Sequence, residues 1–184
     1  MYKINFDKYF ELLSWNIVFW GIKNDIIEAE SAICYANKLV ENNFVENDSL
    51  FIELFILENV KKNEVLSLIS NMTSLNSSDK DTSLKILRYI ILDNIRQSKQ
   101  DNKSVLNSIE NVYADFDYPE DMSLFISYMP IENDEYNPTI HTQEENEQRL
   151  INNFEMFLKK ELQSIRKIIG NTRKNGTTTK GVVR

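Results

Sequence analysis

The sequence predicts an all-α fold: a compact domain of about seven to nine helices that ends in a long C-terminal helix. Only four Gly and three Pro occur among the 184 residues, so the chain lacks the turn residues that sandwiches, barrels and phosphate-binding loops require. Apolar residues recur at the three-and-four spacing of a helix face, and they make up 42% of the chain, enough for a sizeable core. A chain of this length favours one domain, which we place at residues 1–170.

The N-terminal part is predicted to form core helices. Residues 6–22 are apolar at most positions, and their aromatic side chains include Trp15 and Trp20. This density predicts a helix pair or a broken helix in the core. Asn24 is then expected to cap a helix over residues 25–43, whose apolar residues follow one face.

Further helices follow in the middle of the chain. Short apolar helices are expected to begin near Ser49 and Asn63, and residues 82–99 have the pattern of a central helix. Residues 105–116 carry an amphipathic pattern that stops before Pro119. Because proline suits the first turn of a helix, a short helix is expected directly after it.

The last helix is predicted to begin after Thr142, because the pattern T-x-x-E that joins Thr142 to Glu145 is that of a capping box. Its apolar face is long, and Gly170 with Asn171 supplies the expected end. Residues 171–184 are polar, basic and rich in Gly and Thr. We expect them to form a flexible basic tail.

Charge is distributed unevenly along the chain. The formal net charge is −7 and the pI is near 4.9. Residues 104–148 carry eleven acids and no Lys or Arg, whereas residues 149–184 carry nine bases and two acids. A net negative charge opposes binding to nucleic acid phosphates, so we expect no nucleic acid partner and a basic protein partner instead.

Location and redox state follow from simple features. Apolar runs such as residues 54–57 are short, far below the roughly 20 residues of a membrane span, so no membrane association is expected. Cys34 is the one cysteine and no signal peptide opens the chain, which predicts a reduced, cytoplasmic protein. Cys34 lies between Ile33 and Tyr35 with no adjacent base and is expected to be a small core residue.

The motifs of common enzymes are missing from the sequence. It contains one histidine, His141, and no nucleophile elbow, P-loop, zinc-protease motif or cysteine pair. His141 with Glu144 and Glu145 has the spacing of a metal-binding pair, but an exposed histidine near a helix N-terminus is the more economical interpretation. We therefore expect no catalytic residues, no metal site and no cofactor.

The stretch YADFDYPEDMSLFISYMP, residues 113–130, concentrates four carboxylates and three tyrosines without a base. Three interpretations remain open. Asp117, Glu120 and Asp121 could begin a helix. The carboxylates of residues 115–121 could hold a cation or supply an acid and base pair, although a calcium loop would need a glycine that is absent. Tyrosines among carboxylates are also typical of a surface that binds a basic protein.

We take the recognition surface as the leading hypothesis. Its candidate partner-binding residues are Asp115, Asp117, Tyr118, Glu120, Asp121, Tyr128, Glu132, Asp134, Glu135 and Tyr136.

The same stretch, together with FELLSWNIVFWGI near the N-terminus, resembles an uncharacterised family of small, all-helical bacterial proteins. The elements FDYPEDM and YMP are the most specific parts of the resemblance, which covers residues 6–169. The family is associated with polymorphic toxin loci and brings no set of enzymatic residues. The resemblance implies an immunity protein that binds a cognate, basic toxin domain and occludes it.

Two other classes of function stay open. The protein could be a small helical enzyme or ligand-binding domain, in which the carboxylates of residues 115–121 line a pocket. It could also be a scaffold that self-associates through its long C-terminal helix. The sequence does not determine the oligomeric state.

Overall fold

The structure is a computed structural model that describes residues 1–44, 49–57, 60–72, 75, 79–98, 101–130 and 136–174. Regular structure in these residues is helical, apart from one isolated bridge between Tyr2 and Ile27, so the chain is all-α as predicted. The α-helices are α1 (Phe6–Tyr9), α2 (Trp15–Lys23), α3 (Ser31–Glu41), α4 (Ser49–Phe55), α5 (Lys62–Met72), α6 (Lys80–Gln97), α7 (Asn102–Asp115) and α8 (Gln143–Lys174). Short 3₁₀ helices occupy Phe10–Leu12, Glu120–Phe125 and Pro138–Ile140.

The residues group into two compact units. The first comprises Met1–Ile90 together with the end of α8 from Lys167, and the second comprises Ile91–Arg166. The division falls within α6 and α8, so each of these helices belongs to both units. The predicted single domain over residues 1–170 stays a prediction.

The first unit is built around α2, which is buried along most of its length. The predicted break in the N-terminal helix is confirmed, because the 3₁₀ helix and residues 13–14 separate α1 from α2. Trp15 and Trp20 are both buried, as expected of core residues. The Trp15 ring meets the Tyr35 ring edge to face at 4.9 Å, which ties α2 to α3.

Gly21 allows a close approach on the buried side of α2. A Cβ atom at this position would lie 2.8 Å from Cδ2 of Leu87 and 2.9 Å from Cγ1 of Ile27. Both neighbours are almost fully buried, so neither can move aside easily. The glycine is therefore needed for packing rather than for an unusual backbone angle.

Three helices end on a left-handed residue that is not glycine. These residues are Asp25 after α2, Asn43 after α3 and Asp117 after α7, with φ values of 58°, 60° and 62°. In each case the next residue donates its backbone N–H to a carbonyl five positions earlier, which is the Schellman arrangement. These bonds join Ile26 to Gly21 (2.9 Å), Phe44 to Leu39 (2.8 Å) and Tyr118 to Tyr113 (2.9 Å).

The prediction that Asn24 begins a helix over residues 25–43 is wrong at its start. Asn24 is the C-cap of α2, and both its backbone N–H and its side-chain Nδ2 donate to the Trp20 carbonyl, at 3.1 and 2.7 Å. The left-handed Asp25 then turns the chain, and the next helix, α3, begins only at Ser31. The apolar residues of this turn fit a helical spacing, but they are buried as part of a non-helical segment.

Cys34 is exposed, so the expectation of a core cysteine is wrong. The buried face of α3 is formed by Ala32, Tyr35, Ala36 and Leu39. At 100° per residue, position 34 lies on the opposite side of the helix from these four residues.

The core of the second unit includes contacts between α8 and the 3₁₀ helix Glu120–Phe125. Phe125 is buried, and its ring lies 5.3 Å from the Phe154 ring and 5.0 Å from the Phe157 ring. An ion pair between Arg96 and Glu155 adds a polar contact, with the Arg96 Nε 2.9 Å from the carboxylate. The apolar faces predicted for these helices therefore meet in one core.

The capping box at the start of α8 is confirmed. The Glu145 N–H donates to the Thr142 hydroxyl at 3.2 Å, and the Thr142 N–H donates to the Glu145 carboxylate at 2.8 Å. These hydrogen bonds hold the pKa of Glu145 below its ordinary value, with the Thr142 backbone N–H as the largest cause.

The predicted end of α8 at Gly170 and Asn171 is wrong, because the helix continues to Lys174. Gly170 does not adopt the left-handed φ that a glycine stop requires. The part of the predicted tail at residues 175–184 lies outside the described residues. None of the helices in the described part of the chain combines the length and apolar character needed to cross a bilayer.

We expect Gly21→Ala to lower the free energy of unfolding by about 1–3 kcal/mol, because the new Cβ overpacks a rigid core. The matched control is Gly170→Ala, where nothing lies within 4 Å of the added Cβ. The control should raise stability by up to roughly 1 kcal/mol, since alanine favours helix. Urea denaturation of both variants measures the difference, and equal effects would contradict the close approach.

We expect Glu145→Gln to remove part of the acid sensitivity of the fold. Because the folded pKa of Glu145 is depressed, its stabilisation is present above the ordinary value of 4.5 and is lost as pH falls through the folded pKa. The stability difference between wild type and variant should therefore shrink from pH 7 to pH 3 in urea titrations. Glu144→Gln, which changes a neighbouring acid outside the capping box, is the control. A difference that stayed constant with pH would sink the prediction.

Candidate functional site

The end of α7 positions the carboxylates and tyrosines that the sequence singled out. The Asp117 N–H donates to the Ala114 carbonyl at 3.1 Å, and Asp117 and Tyr118 both have left-handed backbones, with φ of 62° and 55°. Aspartate tolerates this conformation, whereas a bulky tyrosine rarely adopts it and costs on the order of 1 kcal/mol or more. The two residues reverse the chain so that Pro119 leads into the 3₁₀ helix Glu120–Phe125.

Three tyrosines form a cluster at this turn. Tyr113 is 4% exposed, and its ring meets the Tyr118 ring edge to face at 5.3 Å and lies 6.4 Å from the Tyr128 ring. Tyr118 and Tyr128 are 59% and 60% exposed. The buried ring of Tyr113 thus supports two rings that present most of their area to solvent.

The predicted carboxylates of this region are all at the surface. Asp115, Asp117, Glu120 and Asp121 are exposed, as are Tyr118 and Tyr128. We call these six residues the acidic-aromatic surface. Residues 104–148, in which all six lie, contain no Lys or Arg.

Glu110 contributes a further acid beside the tyrosine cluster. Its carboxylate accepts a hydrogen bond from the Ser127 hydroxyl and a longer one, 3.4 Å, from the Ser127 N–H. The pKa of the Tyr128 phenol is raised, first by partial desolvation and then by the Glu110 carboxylate and the neighbouring tyrosines. Tyr128 therefore keeps its hydroxyl proton and can donate a hydrogen bond over a wide range of pH.

The interpretation of Asp117 as a helix-start residue is wrong. Asp117 follows the end of α7 as its left-handed residue, and the N-cap of the next 3₁₀ helix is Pro119, which has no side-chain capping bond. Glu120 and Asp121 do lie in the first turn of that helix. A position at the start of a helix therefore explains Glu120 and Asp121, and it does not explain Asp115 or Asp117.

The remaining predicted site residues fall into two groups. Glu132, Asp134 and Glu135 lie outside the described residues. Tyr136 is half-buried and does not belong to the tyrosine cluster. Its ring instead stacks on the His141 ring, with centroids 4.7 Å apart and planes 1° from parallel.

A cleft of about 1090 Å³ lies in the second unit, between α7, the start of α8 and the segments that precede it. Lys103, Glu110, Tyr136, His141 and Arg149 are among its lining residues. None of the four carboxylates of the acidic-aromatic surface lines it.

Sequence reasoning missed this cleft and its two bases, Lys103 and Arg149. These are the bases that flank the base-free residues 104–148 on either side. The Asn102 side chain donates to the Gln148 side chain at 3.2 Å, which brings the neighbours of both bases together. The position of Lys103 and Arg149 on either side of residues 104–148 could have drawn attention to them. Only the tertiary structure shows that both line one cleft.

Among the described residues, the carboxylate that forms an ion pair with His141 is that of Glu145. Its Nδ1 lies 3.6 Å from the Glu145 carboxylate, which is already used by the capping box. Across the described residues, no group of three or more His, Cys, Asp or Glu side chains is placed to hold a metal ion. The geometry around His141 is therefore that of a ring packed on Tyr136 beside a helix N-terminus.

Comparison with known proteins assigns the chain to a family. Residues 4–162 match the family described as an uncharacterized protein conserved in bacteria, DUF2247. The predicted resemblance to an uncharacterised bacterial family is thereby confirmed. No curated protein and no solved structure matches the chain.

We expect Asp117→Gly to raise the free energy of unfolding by about 1 kcal/mol, because glycine adopts the left-handed conformation without strain. The matched control, Asp115→Gly, introduces the same change within the last turn of α7 and should lower stability by roughly 0.5–1 kcal/mol. Thermal and urea denaturation measure both effects. Destabilisation by both variants would contradict the assigned end of α7.

Proposed function

Since this chain belongs to the DUF2247 family of uncharacterized bacterial proteins, we propose that it is a binding protein whose partner is a basic protein domain. In the role implied by its sequence resemblance, it is an immunity protein, and the partner is a cognate toxin domain. It acts in the cytoplasm by covering the partner's active site, without chemistry of its own and without a cofactor.

One observation carries the proposal: Tyr118 and Tyr128 stand about 60% exposed within a field of carboxylates. Tyrosine is enriched at the centres of protein interfaces, because its ring supplies contact area at low entropic cost and its hydroxyl supplies a hydrogen bond. Tyr113 holds both rings in place before any partner arrives. A preformed aromatic anchor of this kind loses little freedom on binding.

Charge supports the choice of a basic partner. Residues 104–148 carry eleven acids and no Lys or Arg, and the four carboxylates of the acidic-aromatic surface are exposed. Opposite charge speeds encounter and disfavours wrong partners more than it adds affinity. A domain that acts on nucleic acid carries a basic cleft for phosphates, so exposed carboxylates can occupy the positions of those phosphates.

The alternative enzyme or ligand-binding domain would use the same carboxylates to line a pocket. The four carboxylates of the acidic-aromatic surface are exposed and do not line the cleft of the second unit. This arrangement favours contact with a large surface over enclosure of a small substrate. Self-association through α8 is a separate hypothesis that the mass in solution at several concentrations would test.

The test is capture of the protein encoded by the adjacent gene. We expect tagged wild-type protein to capture it tightly at about 0.1 M salt and less well at about 0.5 M, because salt screens exposed charges. A variant with Asp115, Asp117 and Asp121 changed to Asn and Glu120 changed to Gln should lose this capture. Tyr118→Ala should weaken binding by about 2 kcal/mol, or roughly thirtyfold.

The matched control makes the same change in net charge elsewhere. Glu28, Glu30 and Glu53 changed to Gln, with Asp81 changed to Asn, alter four exposed acids of the first unit. This control should bind normally. Equal binding by the surface variant and wild type would sink the proposal, as would equal losses in both variants.

A further inference from the structure

Arg149 has an unusual environment for a cation on the wall of a cleft. Its guanidinium carbon lies 4.5 Å from the centroid of the Tyr136 ring, and its Nε is buried without a hydrogen-bond partner. Among the described residues no carboxylate pairs with it. A buried N–H donor without an acceptor is unfavourable, so this Nε–H favours a ligand that supplies one.

The groups around Arg149 hold it in place without neutralising it. The Tyr136 hydroxyl donates to Asn146 Oδ1 at 2.6 Å, and the Asn146 Nδ2 donates to the carbonyls of Pro138 and Thr142, at 3.0 Å each. The stacked His141 ring adds a further contact with the Tyr136 ring. The Tyr136 ring, held by these contacts, thus supports a cation whose buried Nε–H has no acceptor.

The other charged groups of the cleft restrict what can bind there. Lys103 is exposed, lines the same cleft and has no ion pair among the described residues. Glu110 and Glu147 also line the cleft, and they accept hydrogen bonds from Ser127 and Gln143 respectively. Among its described lining residues, the cleft has two cations and two carboxylates, so it does not attract polyanions such as nucleoside triphosphates. It suits a ligand that carries one charge of each sign.

We propose that this cleft binds a small zwitterionic carboxylate, the chemical class of free amino acids and short peptides. Arg149 and Lys103 bind the ligand carboxylate, and the acids of the cleft face its ammonium group. A bidentate pair between guanidinium and carboxylate gives direction as well as affinity. Because the carboxylates of the acidic-aromatic surface lie outside the cleft lining, this binding does not depend on the proposed partner.

The test uses full-length ¹⁵N-labelled protein and a set of defined probes. The probes are the free amino acids and glycylglycine, with sodium acetate, inorganic phosphate and ATP as comparators. We expect at least one zwitterion to bind with a Kd of about 1 mM or tighter and to shift the Arg149 side-chain Nε–H resonance. Each comparator should bind at least tenfold more weakly, since it lacks one of the two charges.

Arg149→Gln should weaken the zwitterion about tenfold or more, because it removes the charged donors. Arg166→Gln is the matched control, since Arg166 is exposed, lies on the same helix and does not line the cleft. If a variant folds poorly, the shift of the Arg149 Nε–H resonance in the wild-type protein still shows whether the zwitterion binds at this residue. Absence of zwitterion binding, equal binding of acetate or phosphate, or unchanged binding by Arg149→Gln would overturn the proposal.

Capture of the basic partner by Arg149→Gln separates the two proposals. Normal capture together with lost zwitterion binding is expected if the cleft and the acidic-aromatic surface work independently. Lost capture together with lost zwitterion binding would overturn that independence.

Discussion

The ends of the helices are the constraint on which this structure depends. A chain with four glycines cannot end many helices in the usual way. Asp25, Asn43 and Asp117 take the left-handed position instead, and each is followed by a backbone bond to a carbonyl five residues earlier. Asp and Asn tolerate this backbone better than other side chains, at a cost that the packing on either side must offset.

The end at Asp117 also determines what the second unit presents to its surroundings. The chain reversal places Tyr118 beside the buried Tyr113 and leaves its ring largely exposed. A bulky residue with a left-handed backbone persists only where its surroundings hold it there. The left-handed backbone of Asp117 therefore sets the position of the Tyr118 ring. The exposed carboxylate of Asp117 adds charge to the same surface.

Charge in the second unit is separated over a short distance. The acidic-aromatic surface carries carboxylates that helix capping explains only in part, whereas the cleft carries Arg149 and Lys103 beside two acids. Glu110 joins these regions, because it lines the cleft and also raises the pKa of Tyr128. The proposed contact with a basic protein and the proposed zwitterion site can thus coexist within one helical unit.

The sequence by itself determined the all-α class, the break before α2, the capping box at Thr142 and the surface character of the carboxylates, because local composition and periodicity govern these features. Sequence reasoning misplaced the start of α3, because the left-handed Asp25 interrupts the helix there. It also misplaced Cys34, which lies opposite the buried face of α3. Only the tertiary structure decided that Tyr136 packs on His141 and that Lys103 and Arg149 share a cleft. These features depend on contacts between residues far apart in the chain, and helical periodicity carries no information about which faces meet.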